Sequence, residues 1–352
     1  MARMRKRPYL GRVGAGLLIA LAGFASGEAL NSTERQEAGA ARVAVATPRP
    51  SLGTGSFSRA TYPAETPAEV EEVAVIPPGR ASVRVPILMY HYIRVNPDAH
   101  DRLGYDLSVT PEDFQRQMDW LADNHYHPVG FEELRGYFLG HGTLPTRPVV
   151  ITLDDGYRDL YTEAYPVLRA HGFKAVAYIV TGFLDSPNNV SRQQLLEMQA
   201  HGIQVGSHTV SHPDLTRLPA GEVRRQLEDS KATLESLLGH PVVDFCYPGG
   251  TVNQAVVEAV RAAGYLTATT TASGITHSAS DRYVWTRVRV RGGEALGQFV
   301  AGLGQEEPAA IEYQPRQLPA FVPTFPSRPP VAPRLELPPE PTAAATAQGA
   351  RP

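Results

Sequence analysis

From about residue 85 to residue 304 the chain alternates between two hydrophobic patterns. Short apolar runs at Val149 to Leu153, Ala175 to Val180, Gln204 to Ser207, Val242 to Tyr247 and Leu266 to Thr270 have the length of strands. Between them, near Asp159 to His171, Ser191 to His201, Gly221 to Leu238 and Asn253 to Ala263, the apolar residues recur at helical intervals. An earlier helix starts at Thr110-Pro111-Glu112-Asp113, a capping residue followed by a first-turn proline and two carboxylates, with Phe114, Met118 and Leu121 on one face. Such alternation predicts a parallel α/β barrel or sheet covered by helices. No internal repeat is evident.

The flanks follow neither pattern. Arg3, Arg5, Lys6, Arg7 and Arg12 precede Val13 to Ala25, a run without charge that ends in small residues. Residues 1–27 are therefore expected to be a secretory signal or, if uncleaved, an N-terminal anchor, although the run is short for a transmembrane helix. Export to the periplasm, cell envelope or exterior follows as an expectation, with membrane or cell-wall association through this segment. Residues 28–84, rich in Pro, Ala, Ser, Thr and Glu, read as a linker. Residues 305–352 hold 12 of the chain's 31 prolines and are expected to form an extended or disordered tail. One domain remains, residues 85–304, long enough for a full core. A net charge of -3 with dispersed arginines offers no nucleic-acid footprint, and the single cysteine, Cys246, permits no internal disulfide.

Candidate chemistry sits at the ends of the apolar runs. Asp154 and Asp155 close the run Pro148 to Leu153, and two adjacent carboxylates on a buried strand are costly unless a cation offsets them. Taken alone, Asp-Asp-Gly is as readily an N-cap and turn. His208 and His212 follow another run, Ile203 to Gly206, and histidines four apart converge on one ion if the segment makes a single turn. Pro213 disfavours helical geometry at His212, so the pair is expected on a one-turn loop. Both motifs lie just past a strand, where ligands gather in barrels and α/β sheets. Together they read as a metal-dependent hydrolase.

These residues carry a resemblance. Ile151 to Gly156 (ITLDDG), Ser207 to His212 (SHTVSH) and Phe245 to Gly250 (FCYPGG) resemble three ordered motifs of the polysaccharide deacetylases, carbohydrate esterase family 4 or the NodB homology domain, over roughly Val85 to Gly304. Pro86 to His91 (PILMYH) resembles the branch that deacetylates poly-N-acetylglucosamine and related envelope glycans, in which the general-acid histidine precedes the double-Asp motif. The resemblance implies an α/β fold, a distorted (β/α)7 barrel of the NodB type flanked by disordered termini. It implies one divalent metal ion, zinc first, with cobalt and nickel as the other candidates. It also implies removal of N-acetyl groups from an N-acetylhexosamine polysaccharide of the cell envelope or biofilm matrix. Peptidoglycan or chitin oligosaccharides are the alternative substrates, and a catalytically silent glycan-binding protein is the alternative of another class.

Amide hydrolysis needs an activated water, a stabilised oxyanion and a protonated leaving amine. With Asp155, His208 and His212 as ligands, three protein donors leave an open position on the ion, as a catalytic site requires. Asp154, which by resemblance does not ligate, becomes the general base and His91 the general acid. A lone histidine at a strand end is more often structural, and only the early motif argues otherwise for His91. By resemblance a backbone N–H near Tyr247, Pro248 and Gly249 helps hold the oxyanion, on a turn that is also a plain strand-to-helix connection. The wider family commonly carries a base-orienting arginine in the third motif, where Cys246 stands here. Arg287 or Arg289 can supply that charge beside Asp154, unless Val288 and Val290 face inward and the arginines are solvated. Trp120, Trp285 and the tyrosines are read as core.

Overall fold

The computed structural model describes residues 75–76, 81–98, 100–305 and 313–325. Seven parallel strands form a closed barrel: β1 (Ile87–Tyr90), β2 (Pro148–Leu153), β3 (Ala175–Ile179), β4 (Ile203–Ser207), β5 (Asp244–Cys246), β6 (Thr267–Ser273) and β7 (Trp285–Arg289). Strand β1 pairs with β2 on one side and β7 on the other, which closes the ring. Around it lie α1 (Arg102–Leu107), α2 (Pro111–Asp123), α3 (Phe131–Phe138), α4 (Tyr165–Ala170), α5 (Arg192–Ala200), α6 (Ala220–Leu238), α7 (Gln254–Ala262) and α8 (Leu296–Gly302).

The strand alternation sorts residues between lumen and helix layer. On β2, Val149, Ile151 and Leu153 pack outward with Met118, Leu160 and Leu168. Val150 joins Val176, Tyr178, Cys246 and Trp285 in a second core inside the barrel, stoppered by Phe131 and Leu134 of α3. Asp154 continues the inward parity of Val150 and Thr152, which is why its carboxylate enters the barrel top instead of solvent. Gly206 is demanded by the same packing, since a Cβ there would sit 2.6 Å from the Tyr178 ring.

Thr110 caps its helix as expected, accepting from the Asp113 N–H with Pro111 in the first turn of α2, and the segments expected to start near Ser191 and Asn253, α5 and α7, are capped by those residues. The segment expected as one helix from Asp159 to His171 begins instead with a π-helical turn, Leu160–Ala164, before α4. The eight-residue α3 was not anticipated, being too short to show a clear period.

The domain edges also differ from expectation. Ser82–Arg84 pairs antiparallel with Thr276–Ser278, and Val75–Ile76 pairs with Leu144–Pro145, so ordered chain begins before residue 85. Main-chain pairing of two or three residues leaves no periodic trace in sequence. Within the expected disordered tail, residues 313–325 form no helix or strand, as their prolines dictate, yet they are a strap laid on the barrel helices. Tyr313 donates to Asp119 on α2 at 2.8 Å, Gln115 donates to the Arg316 carbonyl at 2.8 Å, and Phe321 meets the Tyr161 and Tyr165 rings edge-on. The expected leader, residues 1–27, most of the linker and the rest of the tail lie outside the described residues. Among the described residues no helix is long and apolar enough to cross a membrane.

Candidate functional site

Every candidate of the double-Asp and histidine motifs lies at the carboxyl ends of the strands. The β1–β2 ladder runs one step past Leu153, the Asp154 N–H donating to the Tyr90 carbonyl at 3.0 Å, which sets His91 beside Asp154. Ser207 pairs with Ile179 and with Phe245, so the next residue, His208, stands against Cys246.

Asp155, His208 and His212 converge: the Nε2 atoms of both histidines lie 3.4 Å from the Asp155 carboxylate. That is longer than a good hydrogen bond. Two donors of a tetrahedral ion with bonds of about 2.0–2.1 Å sit roughly 3.3 Å apart, so the spacing suits a zinc-like ion held between them. The His208 Nδ1 contacts the Cys246 carbonyl at 2.7 Å, and because a carbonyl only accepts, Nδ1 carries the proton and Nε2 faces Asp155 with its lone pair. Burial alone would push His208 down, but the Cys246 and Asp155 side chains outweigh it and hold the imidazole well above its ordinary range. His212, half-buried, is shifted down by burial and by His208.

The loop carrying these histidines is strained. Asp155, Thr209 and His212 have φ of 71°, 69° and 58°, and for a β-branched threonine this is a rare conformation. Surrounding groups impose it. Gln226 on α6 accepts from the Val210 and Ser211 N–H groups, the Thr209 hydroxyl accepts from the His212 N–H, and Asn189 donates to the carbonyls of Asp155 and Gly156 at 3.2 Å. As expected from Pro213, the histidine pair is on a turn and not on a helix. Neither Gln226 nor Asn189 was singled out from sequence. A glutamine between Val223 and Leu227 on the buried face of a helix was the available signal for the first, and for Asn189 there was only a turn composition.

Asp154 is held from below by Arg287. The guanidinium is fully buried, and all five of its N–H groups are used: Nε on the Thr270 carbonyl at 2.8 Å, Nη1 on Thr152 Oγ1 at 3.0 Å and Asp154 Oδ1 at 2.8 Å, Nη2 on Asp154 Oδ2 at 2.8 Å and Cys246 Sγ at 3.2 Å. Burial pushes the Asp154 carboxyl up, but Arg287 outweighs it and holds it well below the usual carboxylate range. The arginines are thus not both solvated: Val288 and Val290 pack in the outer core while Arg287 points into the lumen. Arg289 pairs at the surface with Asp106, 3.6 Å away. In a second donor trio, Asp154, His208 and Cys246, the Asp154 oxygens and Cys246 Sγ are already bonded to the Arg287 cation, so it does not fit a metal.

His91 Nε2 lies 3.8 Å from Asp154 Oδ2, with the side chain 13% exposed. Burial lowers its pKa in spite of Asp154 and Asp155. Tyr247 departs from the oxyanion expectation. Its N–H donates to the Thr269 carbonyl at 3.1 Å, because the β5–β6 ladder extends one residue past Cys246, and its buried phenol donates to the Tyr283 carbonyl at 2.9 Å. Pro248 has no N–H. Gly249, at φ 61°, has an N–H without an acceptor among the described residues.

Residues 141–268 match the polysaccharide deacetylase family model. The chain is 30% identical over 223 residues to a Bacillus subtilis protein, YxkH, named as a polysaccharide deacetylase, covering 62% of this chain and 77% of that relative. It is 26% identical over 204 residues to the poly-β-1,6-N-acetyl-D-glucosamine N-deacetylase of Staphylococcus epidermidis, covering 50% of this chain and 68% of that one. Among solved structures it is similar to the Streptococcus pyogenes deacetylase PplD in complex with acetate, with a TM-score of 0.59 and 28% identity, over 63% of this chain and 98% of that chain.

Proposed function

This chain belongs to the polysaccharide deacetylase family and is an N-deacetylating hydrolase, and we propose that it acts as a metal-dependent deacetylase of a poly-N-acetylglucosamine-like envelope or matrix polymer. The observation that carries the metal dependence is the Asp155, His208 and His212 set, whose spacing and tautomer suit a divalent ion and whose three donors would leave a fourth position for water or substrate. The name of the staphylococcal relative supports the polymer. The basic and apolar N-terminus supports export as the setting.

Asp155, His208 and His212 would hold the ion, which when bound supplies a Lewis acid that acidifies water and polarises an acetyl carbonyl. The remaining chemistry belongs to the chain. Asp154 takes the proton of the attacking water, with Arg287 locking both carboxylate oxygens in place. The Gly249 N–H is the donor free to meet the developing oxyanion. So acidic a carboxyl does not keep the proton, and His91, whose Nε2 lies 3.8 Å away, is positioned to receive it and pass it to the leaving nitrogen. Water thus loses one proton to Asp154, His91 carries it, and the departing amine gains it.

The test is acetate release by purified protein from poly-β-1,6-N-acetylglucosamine, chitin oligosaccharides and peptidoglycan, with and without chelator. Release from the first polymer, abolished by chelator and restored by zinc or cobalt, is expected. Activity unaffected by thorough chelation refutes metal dependence, and preference for another glycan refutes the polymer. Asp154→Asn should keep its metal and lose about two to four powers of ten in rate.

A further inference from the structure

We propose that Gln226 on α6 is a positioning residue for the ion: its side-chain oxygen fixes the turn that carries His212, and so sets how tightly the ligand set holds a divalent metal. This rests on the metal reading above and adds what keeps the third ligand in place. The ligands are not equally anchored. His208 continues the β4 ladder, its N–H donating to the Ile179 carbonyl at 2.9 Å, and its ring is tied to the Cys246 carbonyl. His212 lies four residues further on, with 37% of its side chain exposed, and its ring leans on Asp155 and on the ring of His208, the two groups it must bind beside. Its place is therefore decided by the turn beneath it.

That turn is clamped from two sides. The loop after β3 takes its carbonyls, the Thr181 N–H donating to Thr209 at 3.1 Å and the Gly182 N–H to Val210 at 2.8 Å. Helix α6 takes its amides: the Gln226 Oε1 accepts from the Val210 N–H at 3.0 Å and the Ser211 N–H at 3.1 Å. The amide group cannot be turned round, because its nitrogen donates to Ser211 Oγ at 3.0 Å and to Glu222 Oε1 at 3.3 Å, and a carboxylate only accepts. The clamp holds a backbone that would otherwise relax, since φ of 69° at Thr209 and 58° at His212 is disfavoured for residues with a Cβ. Without the Gln226 oxygen two neighbouring N–H groups lose their acceptor, and the turn is free to carry His212 away from Asp155. Only molecules with all three donors assembled then bind the ion well, so the apparent affinity falls by that fraction. The carbonyl side of the clamp is independent of Gln226, and α6 stays packed through Val223, Leu227 and Leu234, so the fold survives the change.

The experiment titrates the full chain with zinc in competition with a chromophoric chelator, and with cobalt, whose visible absorption reports the number and arrangement of its ligands. Gln226→Met keeps the length and fit of the side chain but removes the oxygen, whereas Gln226→Glu keeps an oxygen for both N–H groups, with the Ser211 hydroxyl turning to donate to it. We expect Gln226→Met to bind zinc about 10–100-fold more weakly, the usual effect of losing a group that orients a metal ligand, and to change the cobalt spectrum. Its melting temperature in excess chelator should stay close to that of the wild type, and Gln226→Glu should bind zinc nearly as the wild type does. A purely structural glutamine would instead lower the melting temperature in chelator and leave zinc affinity and the cobalt spectrum unchanged. That result, or equal weakening in the Met and Glu variants, overturns the proposal. If Gln226→Met does not fold, the wild type decides: in chelator the Val210 and Ser211 amides should exchange slowly with deuterium, and rapid exchange overturns the clamp. A wild type that binds neither zinc nor cobalt overturns the metal reading and this proposal with it.

Discussion

Replacing Arg287 by Met removes a cation that the Asp154 carboxylate cannot do without. The pair is fully buried and bidentate, and Arg287 also satisfies Thr152, the Thr270 carbonyl and Cys246. Breaking a buried ion pair from one side costs about 3–5 kcal/mol, because the remaining charge is left desolvated. The sign of the pH dependence should reverse. In the wild type the folded Asp154 pKa is depressed, so its contribution to stability is present above the unfolded value of about 3.9 and is lost only as pH falls through the lower folded value. In Arg287→Met burial dominates and the folded pKa rises above the unfolded one. The variant is then destabilised at neutral pH and recovers as the solution is acidified toward about pH 4. Urea unfolding at pH 8, 6.5 and 5, in chelator so that no ion binds, reads both effects. Arg287→Lys keeps the charge but cannot bind both oxygens as a fork, so it should recover only part of the loss. A Met variant within about 1 kcal/mol of wild type, with the same pH slope, would show that Arg287 does not sustain the Asp154 charge.

Three further outcomes are expected. His208→Ala should lose one equivalent of bound zinc or cobalt by elemental analysis, and stoichiometric metal in that variant would remove the ligand assignment. His91→Asn should lose turnover on the N-acetyl substrate much more than on an activated aryl ester, whose leaving group needs little protonation, and equal losses on both would return His91 to a structural role. Deleting residues 313–352 should cost about 2 kcal/mol through the lost strap bonds and the Phe321 contacts, whereas deletion from residue 326 should not shift the melting temperature; equal midpoints for the two would mean that the strap does not hold.

Local chemistry in the sequence determined a good part of this protein. The strand and helix alternation, the cap at Thr110, the helix starts near Ser191 and Asn253, and the turn imposed on His212 by Pro213 depend on residues within a few positions of one another, and they lie in the structure where the pattern puts them. Placement of Asp154, Asp155, His208 and His212 just after strands was legible too, because strand length and direction are local properties. What only the closed barrel decided is which of these groups meet. Arg287 and Asp154 are 133 residues apart, and their pairing depends on which face of β7 turns inward, which the alternating Arg and Val residues left undecided. Closure gave the valines to the outer core and the arginine to the lumen, beside the space that a small Cys246 leaves open. The Tyr247 amide was removed from the oxyanion site in the same way, by a ladder bond to Thr269 on the adjoining strand. Long-range register, and the burial that goes with it, is set by the whole barrel, so no window of sequence contains it.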